Sequence, residues 1–320
     1  MSKLTIIMYH YVRNIIDSKY PKIKGLELDL FVEQINYLKK KFNIITMEEL
    51  LESNTKKKQL PINSALLTFD DGYIDHYTNV YPILKENNLQ GSFYIPAKPI
   101  LEHKLLDVNK IHFILSSVKN INDLLSDIFI DINEFKSKFQ LDSYNDYFST
   151  FAKENRFDDK EVVFVKRLLQ HGLPEELRNS LSSKYFEKYV GFKESAFAKE
   201  LYMNKYQIRQ MIRDGMHVGC HGYDHYWWDK LNKNELKEEI EKSKEFLKSL
   251  GCNMSTLTAC YPYGSTNELV VSELTRQGCN LAFTTEVRIA DTSTDSRFLY
   301  PRLDTNDFPP ESINYQMHLA

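Results

Sequence analysis

Apolar positions in the first hundred residues switch repeatedly between a spacing of two and a spacing of three to four. Residues 4–9 read as a strand that runs up to His10. Phe31, Ile35, Leu38 and Phe42 recur at helical spacing, with Asp29 in position to cap the helix. Ile44 and Ile45 predict a short strand. Thr46 with Glu49 three residues later is a capping-box signature for a short helix through Leu51. Residues 65–69 form an unbroken strand pattern leading straight into Asp70 and Asp71, and Gly72 allows a tight exit. A helix over 79–86 and a strand over 91–95 follow. Strands alternating with helices at this spacing imply an α/β fold with a mostly parallel sheet, open or closed into a barrel.

Between 101 and 199 the pattern becomes helix after helix, with strong charge alternation, as over 111–118, 121–129 and 161–170. This stretch reads as a helical insertion over or beside the sheet, shaping substrate access or serving as a purely structural cap. Alternation resumes near Lys205. Ile208, Met211 and Ile212 mark a helix that stops at Asp214-Gly215. A strand over 216–220 runs into His221, and a long amphipathic helix over 233–250 ends at Gly251. A strand over 257–261, a helix over 267–277 and strands over 281–284 and 298–303 complete the chain. Residues 1–100 and 200–320 thus form one α/β domain interrupted by a helical 101–199.

With 320 residues, 42% of them hydrophobic, the chain is long enough for one large core. A net charge of −3 argues against nucleic acid as the main partner. Lys56-Lys57-Lys58 is a lone basic run that a solvated loop explains. No stretch approaches the roughly 20 apolar residues of a membrane span, and the N-terminus has no signal-peptide pattern, so a cytoplasmic protein is expected. Cys220, Cys252, Cys260 and Cys279 have no CxxC spacing and read as buried apolar residues in a reducing compartment.

Two stretches carry candidate chemistry. The adjacent acids Asp70 and Asp71 fall at the C-terminal end of a predicted core strand, where ligands collect in α/β folds, although an ordinary Asp-Asp-Gly turn would look the same. His221 and His225, four apart, also follow a predicted strand and can converge on one metal; a strand cap and a surface histidine are the plain alternative. If both strands point the same way, Asp71, His221 and His225 make an open divalent site with a fourth position for water, the ligand count of a catalytic centre. A Zn²⁺-like ion lowers the pKa of such water to roughly 7. Asp71, once ligated, is a poor proton acceptor, whereas Asp70 beside it is free to act as general base.

Thr68-Phe69-Asp70-Asp71-Gly72 followed by His221-x-x-x-His225 resembles the polysaccharide deacetylases of carbohydrate esterase family four, and Tyr261-Pro262-Tyr263-Gly264 resembles that family's third motif. The resemblance covers roughly residues 3–100 and 200–308. It implies a distorted (β/α) barrel and metal-dependent removal of an N- or O-acyl group from a sugar, with Zn²⁺ as the first expectation and Co²⁺ or Ni²⁺ as alternatives. It makes Asp71, His221 and His225 the metal ligands, Asp70 the base and the Tyr263 backbone N–H an oxyanion donor.

The chain departs from that pattern in two places. The third motif usually begins with an arginine, where Ala259 or Cys260 stands here; Arg302, after a later predicted strand, is a candidate for the missing charge or else a surface residue. The usual general acid is a late histidine, for which only His318 is available, near the chain end. His10, in Met8-Tyr9-His10-Tyr11, is a second candidate acid, with a buried structural histidine as its bland alternative. His76 reads as a helix-start residue and His217 as a satisfied core histidine. Trp227 and Trp228 either wall a sugar subsite or pack. The expected substrate is an N-acylated (acetyl or formyl) sugar, nucleotide-linked, lipid-linked or in an oligosaccharide, within surface-polysaccharide biosynthesis. A metal-dependent amidohydrolase on a non-sugar C–N bond and a catalytically silent glycan-binding module are the competing readings.

Overall fold

The computed structural model describes residues 3–56, 58–155 and 158–318. Met1, Ser2, Lys57, Arg156, Phe157, Leu319 and Ala320 of the segments read above lie outside the described residues. The chain divides into two compact units, 1–14, 25–102 and 199–320 forming one, and 15–24 with 103–198 the other.

The first unit is built on a nine-stranded sheet: β1 (Lys3–Tyr9), β2 (Asn43–Ile44), β3 (Ser64–Asp70), β4 (Ser92–Ile95), β5 (His217–Cys220), β6 (Ala259–Cys260), β7 (Ala282–Phe283), β8 (Ala290–Asp291) and β9 (Leu303–Asp304). The spatial order is β7-β6-β5-β4-β3-β1-β8, with β2 on β3 and β9 on β1; every pairing is parallel except β1 with β8. Tyr300 bridges to Phe283 of β7, and three residues later Leu303 pairs with Ile7 of β1. The 300–304 segment therefore joins the two ends of the parallel path and closes it into a distorted barrel.

Residue parity decides which side chains enter that barrel. Leu4, Ile6, Leu66, Tyr94, Cys260, Phe283 and Tyr300 share one buried interior cluster. The alternate positions Tyr9, Phe69 and Phe93 stack with one another outside it, at 4.8 and 4.9 Å, and Tyr9 meets Phe31 edge-on at 5.3 Å. Phe31 lies on α1 (Leu28–Lys41), which begins after Glu27 rather than Asp29; Asp29 sits in its first turn, where a carboxylate still suits the positive helix end. Thr46 and Glu49 do form a capping box, Glu49 Oε2 accepting from Thr46 N at 2.8 Å, but α2 (Met47–Lys56) runs a turn and more past Leu51. Lys56 is its last residue, and Lys58 pairs with Glu52 of the same helix. The helix expected from 79 starts earlier, as a wide five-residue turn over His76–Val80 that leads into α3 (Tyr81–Glu86). Further along are α4 (Ala97–Glu102) and, in the second unit, α5 (Asp107–Ser117), α6 (Ile121–Phe139), α7 (Tyr144–Phe151), α8 (Lys160–Arg167), α9 (Glu175–Val190) and most of α10 (Glu194–Leu201). α11 (Lys205–Arg213), α12 (Lys233–Leu250) and α13 (Glu268–Arg276) return to the first unit.

The second unit has its own core, including Ile111, Ile114, Ile128, Phe164, Leu181 and Phe186. Asp131 is buried within it and is satisfied by Lys184 and by the Tyr185 hydroxyl at 2.7 Å. The strand expected over 298–303 shrinks to Leu303–Asp304, because its earlier residues make a single bridge to β7 before crossing to β1. No helix among the described residues is long and apolar enough to cross a membrane.

Candidate metal centre and active site

Asp70 is the last residue of β3 and Asp71 follows it. Both Asp71 (φ 76°) and Gly72 (φ 69°) take the left-handed conformation, which turns the chain sharply at the strand end and is unusual for the aspartate. The Tyr73 hydroxyl donates to Asp71 Oδ2 at 2.5 Å. Asp71 Oδ1 is left facing His221 Nε2 at 3.4 Å and His225 Nε2 at 3.3 Å. His221 follows β5 directly, and its Nδ1–H donates to the Cys260 carbonyl at 2.8 Å, so a neutral ring presents its Nε2 lone pair. The two Nε2 atoms are 3.1 Å apart.

Asp71, His221 and His225 are all buried. Three donor atoms 3.1 to 3.4 Å from one another match the edge of a tetrahedron with bonds of about 2.0–2.1 Å, roughly 3.3 Å. Asp71 Oδ1 accepts no well-formed hydrogen bond despite its burial, the mark of an atom kept for another partner. The donor set thus fits a divalent cation such as Zn²⁺. Burial opposes ionisation of Asp71, but the two imidazoles outweigh it and hold the carboxyl well below its usual range. Burial likewise opposes a proton on His221, and Cys260, Asp71 and Asp70 outweigh it, raising that pKa.

Behind this trio, Asp70 meets Arg302 in a two-point ion pair, Nη1–Oδ1 3.0 Å and Nη2–Oδ2 2.7 Å. Arg302 also donates to Thr68 Oγ1, to the Thr284 carbonyl and to Cys260 Sγ, which spends its remaining directions inside the barrel. Burial alone would raise the Asp70 pKa; Arg302, then His221 and His10, lower it to about 2. The Cys260 thiol, 3.3 Å from Asp70 Oδ2 and 2.8 Å from Arg302 Nη2, is therefore a polar contact of the site and no inert core residue. Cys220 and Cys279 are buried, while Cys252 is half-exposed; all four cysteines are unpaired.

His10 stands just past β1, its Nε2 4.0 Å from Asp70 Oδ2 and its side chain 41% exposed. Tyr263 (φ 58°) stacks on Trp227 at 4.6 Å and meets the His225 ring edge-on at 4.7 Å. The same two loops are tied by Ser265 Oγ, which donates to Asp229 Oδ1 at 2.6 Å. Trp228, by contrast, is fully buried and packs on Tyr261. His318 ends the turn Asn314–His318, whose Tyr315 packs on Phe308; among the described residues no hydrogen bond or ion pair links it to the site. His217 is satisfied by Thr258 Oγ1 at 2.7 Å, and His76 is buried with its Nε2 on the His10 carbonyl.

The sequence reading missed Tyr73, although its place next to Asp71-Gly72 was a signal, and missed Glu239. The latter interrupts the apolar stripe Leu236, Ile240, Leu247 of α12 with a buried carboxylate. Burial and the nearby Asp224 raise its pKa to about 7.

A family model described as polysaccharide deacetylase matches residues 57–123 and 183–282. YxkH of Bacillus subtilis (strain 168), described as a polysaccharide deacetylase, is 29% identical over 100 residues, which are 31% of this chain and 34% of that protein. The match therefore spans about a third of that relative's length. The structure is similar to that of Streptococcus pyogenes deacetylase PplD in complex with acetate, with a TM-score of 0.61 and 16% identity over 98% of this chain and 96% of the other. It is also similar to IcaB from Ammonifex degensii, with a TM-score of 0.58 and 18% identity over 99% and 96% of the two chains. At such identities the likeness concerns the fold, the distorted (β/α) barrel. With the family model matched over more than half of its length, the chain belongs to the polysaccharide deacetylase family.

Proposed function

We propose that the protein is a metal-dependent hydrolase that removes an N-acyl group, acetyl or formyl, from a sugar during surface-polysaccharide or glycan assembly. The observation that carries this reading is the meeting of Asp71, His221 and His225 within 3.4 Å, next to the ion-paired Asp70. A cation held by those three residues, Zn²⁺ first and Co²⁺ or Ni²⁺ as alternatives, would supply Lewis-acid polarisation of the acyl oxygen and acidify water.

Asp70, kept ionised by Arg302, takes the proton from the attacking water. The oxygen adds to the acyl carbon, the C–N bond breaks, and the amine leaves with a proton from His10 while the acyl group departs as carboxylate. His10 suits this role because it is near Asp70 and open to solvent, so it can be reloaded. The Tyr263 N–H, on its left-handed turn, is the oxyanion donor, a type of contact worth about 10²–10³ in rate. Residues 1–100 and 200–320 are the catalytic part and 101–199 the insertion; the compact helical unit also takes in 15–24. The four unpaired cysteines favour a cytoplasmic site of action on nucleotide-linked or lipid-linked sugars. Arg302 beside Asp70 favours an enzyme over a silent glycan-binding module.

The test is acetate and formate release from a panel of N-acyl sugars, with chelated protein reloaded with Zn²⁺, Co²⁺ or Ni²⁺. Asp70→Asn should abolish turnover while elemental analysis still finds the metal. Turnover of Asp70→Asn near the wild-type rate would overturn the assignment of the base.

A further inference from the structure

The loop His221–His225 has to bring two imidazoles four residues apart onto one point, and its backbone does so in an unrelaxed conformation. Gly222 has φ 79° and His225 has φ 61°, the second an uncommon state for a side chain of that size. Such a conformation persists when its surroundings over-determine it.

Those surroundings are specific. The carbonyls of Gly222 and Tyr223 accept from Ala97 N and Lys98 N of α4, at 3.1 and 3.0 Å. The amides of Tyr223 and Asp224 both donate to a single atom, Oε1 of Glu239, each at 2.9 Å. Glu239 is 5% exposed and comes from the face of α12 that buries Leu236, Ile240 and Ser243. A buried carboxylate in an apolar stripe is costly to desolvate, and here it is matched to two convergent N–H donors. A Cβ at Gly222 would come within 2.6 Å of that Oε1, so the absence of a side chain at 222 and the carboxylate at 239 fit each other.

We propose that Glu239 is a positioning residue for the metal centre: it fixes the 222–225 backbone so that His225 stands beside His221 and Asp71. This rests on the reading of those three as metal ligands. Groups that orient ligands from outside the coordination sphere typically change metal affinity by about 10–100-fold.

The experiment is Co²⁺ titration of the full chain, following both affinity and the visible absorption of bound Co²⁺, which reports ligand number and geometry. Glu239→Ala should weaken Co²⁺ by about 10–100-fold and alter the spectrum. Glu239→Asp, whose shorter reach withdraws the acceptor while keeping a carboxylate, should do the same and serves if the alanine variant does not fold. Glu239→Gln keeps an acceptor oxygen and should restore affinity and spectrum. Wild-type binding and spectrum in Glu239→Asp, or a loss in Glu239→Gln as deep as in Glu239→Asp, overturns the proposal. His225→Ala is the separate control: if it binds Co²⁺ as well as the wild type, it is the metal reading that fails.

Discussion

Arg302 and Asp70, 232 positions apart, hold each other through two hydrogen bonds of 3.0 and 2.7 Å with neither side chain exposed beyond 2%. The guanidinium comes from the segment that closes the barrel, and the carboxylate from the end of β3. A charge so deeply enclosed has no water to fall back on, so each partner is the condition of the other.

Removing the arginine is accordingly expected to be costly. Arg302→Met should destabilise the fold by about 3–5 kcal/mol, the usual penalty for stranding a buried charge, read from urea unfolding at pH 7. In whatever folds, burial then acts on Asp70 unopposed and raises its pKa. The acidic limb of the rate profile should move to higher pH, and an unmoved limb would separate Asp70 from the rate-determining proton transfer.

The same pair gives the fold an acid sensitivity of known sign. Asp70 titrates at about 2 in the folded chain, against 3.8 for a free carboxyl. Its stabilisation is complete above about pH 4 and is lost as pH falls through 2, an amount of about 2 kcal/mol. Chelated wild-type protein should lose that much more stability between pH 5 and 2 than Asp70→Asn does, as measured by denaturant unfolding at each pH.

Metal should bind with release of a proton. Without it, His221 holds its proton more tightly than an ordinary histidine, and a cation must displace that proton to reach Nε2. Zn²⁺ affinity should therefore fall as pH is lowered. At a thousandfold excess over its dissociation constant, Zn²⁺ should add about 4 kcal/mol of stability. Calorimetry in buffers of different ionisation enthalpy counts the proton, and His225→Ala should abolish the thermal stabilisation.

His10 and His318 make opposite predictions. Loss of a general acid typically lowers rate by about 10²–10⁴-fold, which is expected for His10→Ala with metal content intact. His318→Ala, in the terminal turn away from every contact of Asp70, should turn over like the wild type. The reverse ranking in steady-state assays would exchange the two roles.

Much of this was legible in the chain because the site lies where strand signals end. The run into Asp70 and the short strand into His221 are visible as apolar patterns, and parallel connection by helices dictates that both ends share one rim. Arg302 was visible as a residue but not as a partner: β9 is two residues long, and its pairing depends on a bridge at Tyr300 that no local periodicity encodes. Cys260 looked apolar because cysteine usually is, and only the neighbouring charges make its thiol a hydrogen-bonding group. The inclusion of 15–24 in the helical unit was equally invisible, since membership there is decided by contacts such as Tyr20 on Phe113, distant in sequence.

The crossing at 300–304 has one more consequence. Without the 300–304 crossing Asp70 loses its two-point guanidinium partner and the ring has no seam, so an open sheet would leave the proposed base without the group that orients it. On the proposed mechanism, hydrolysis would therefore report on completed folding: a chain stalled one strand short would own all three imidazole and carboxylate donors and still be inert.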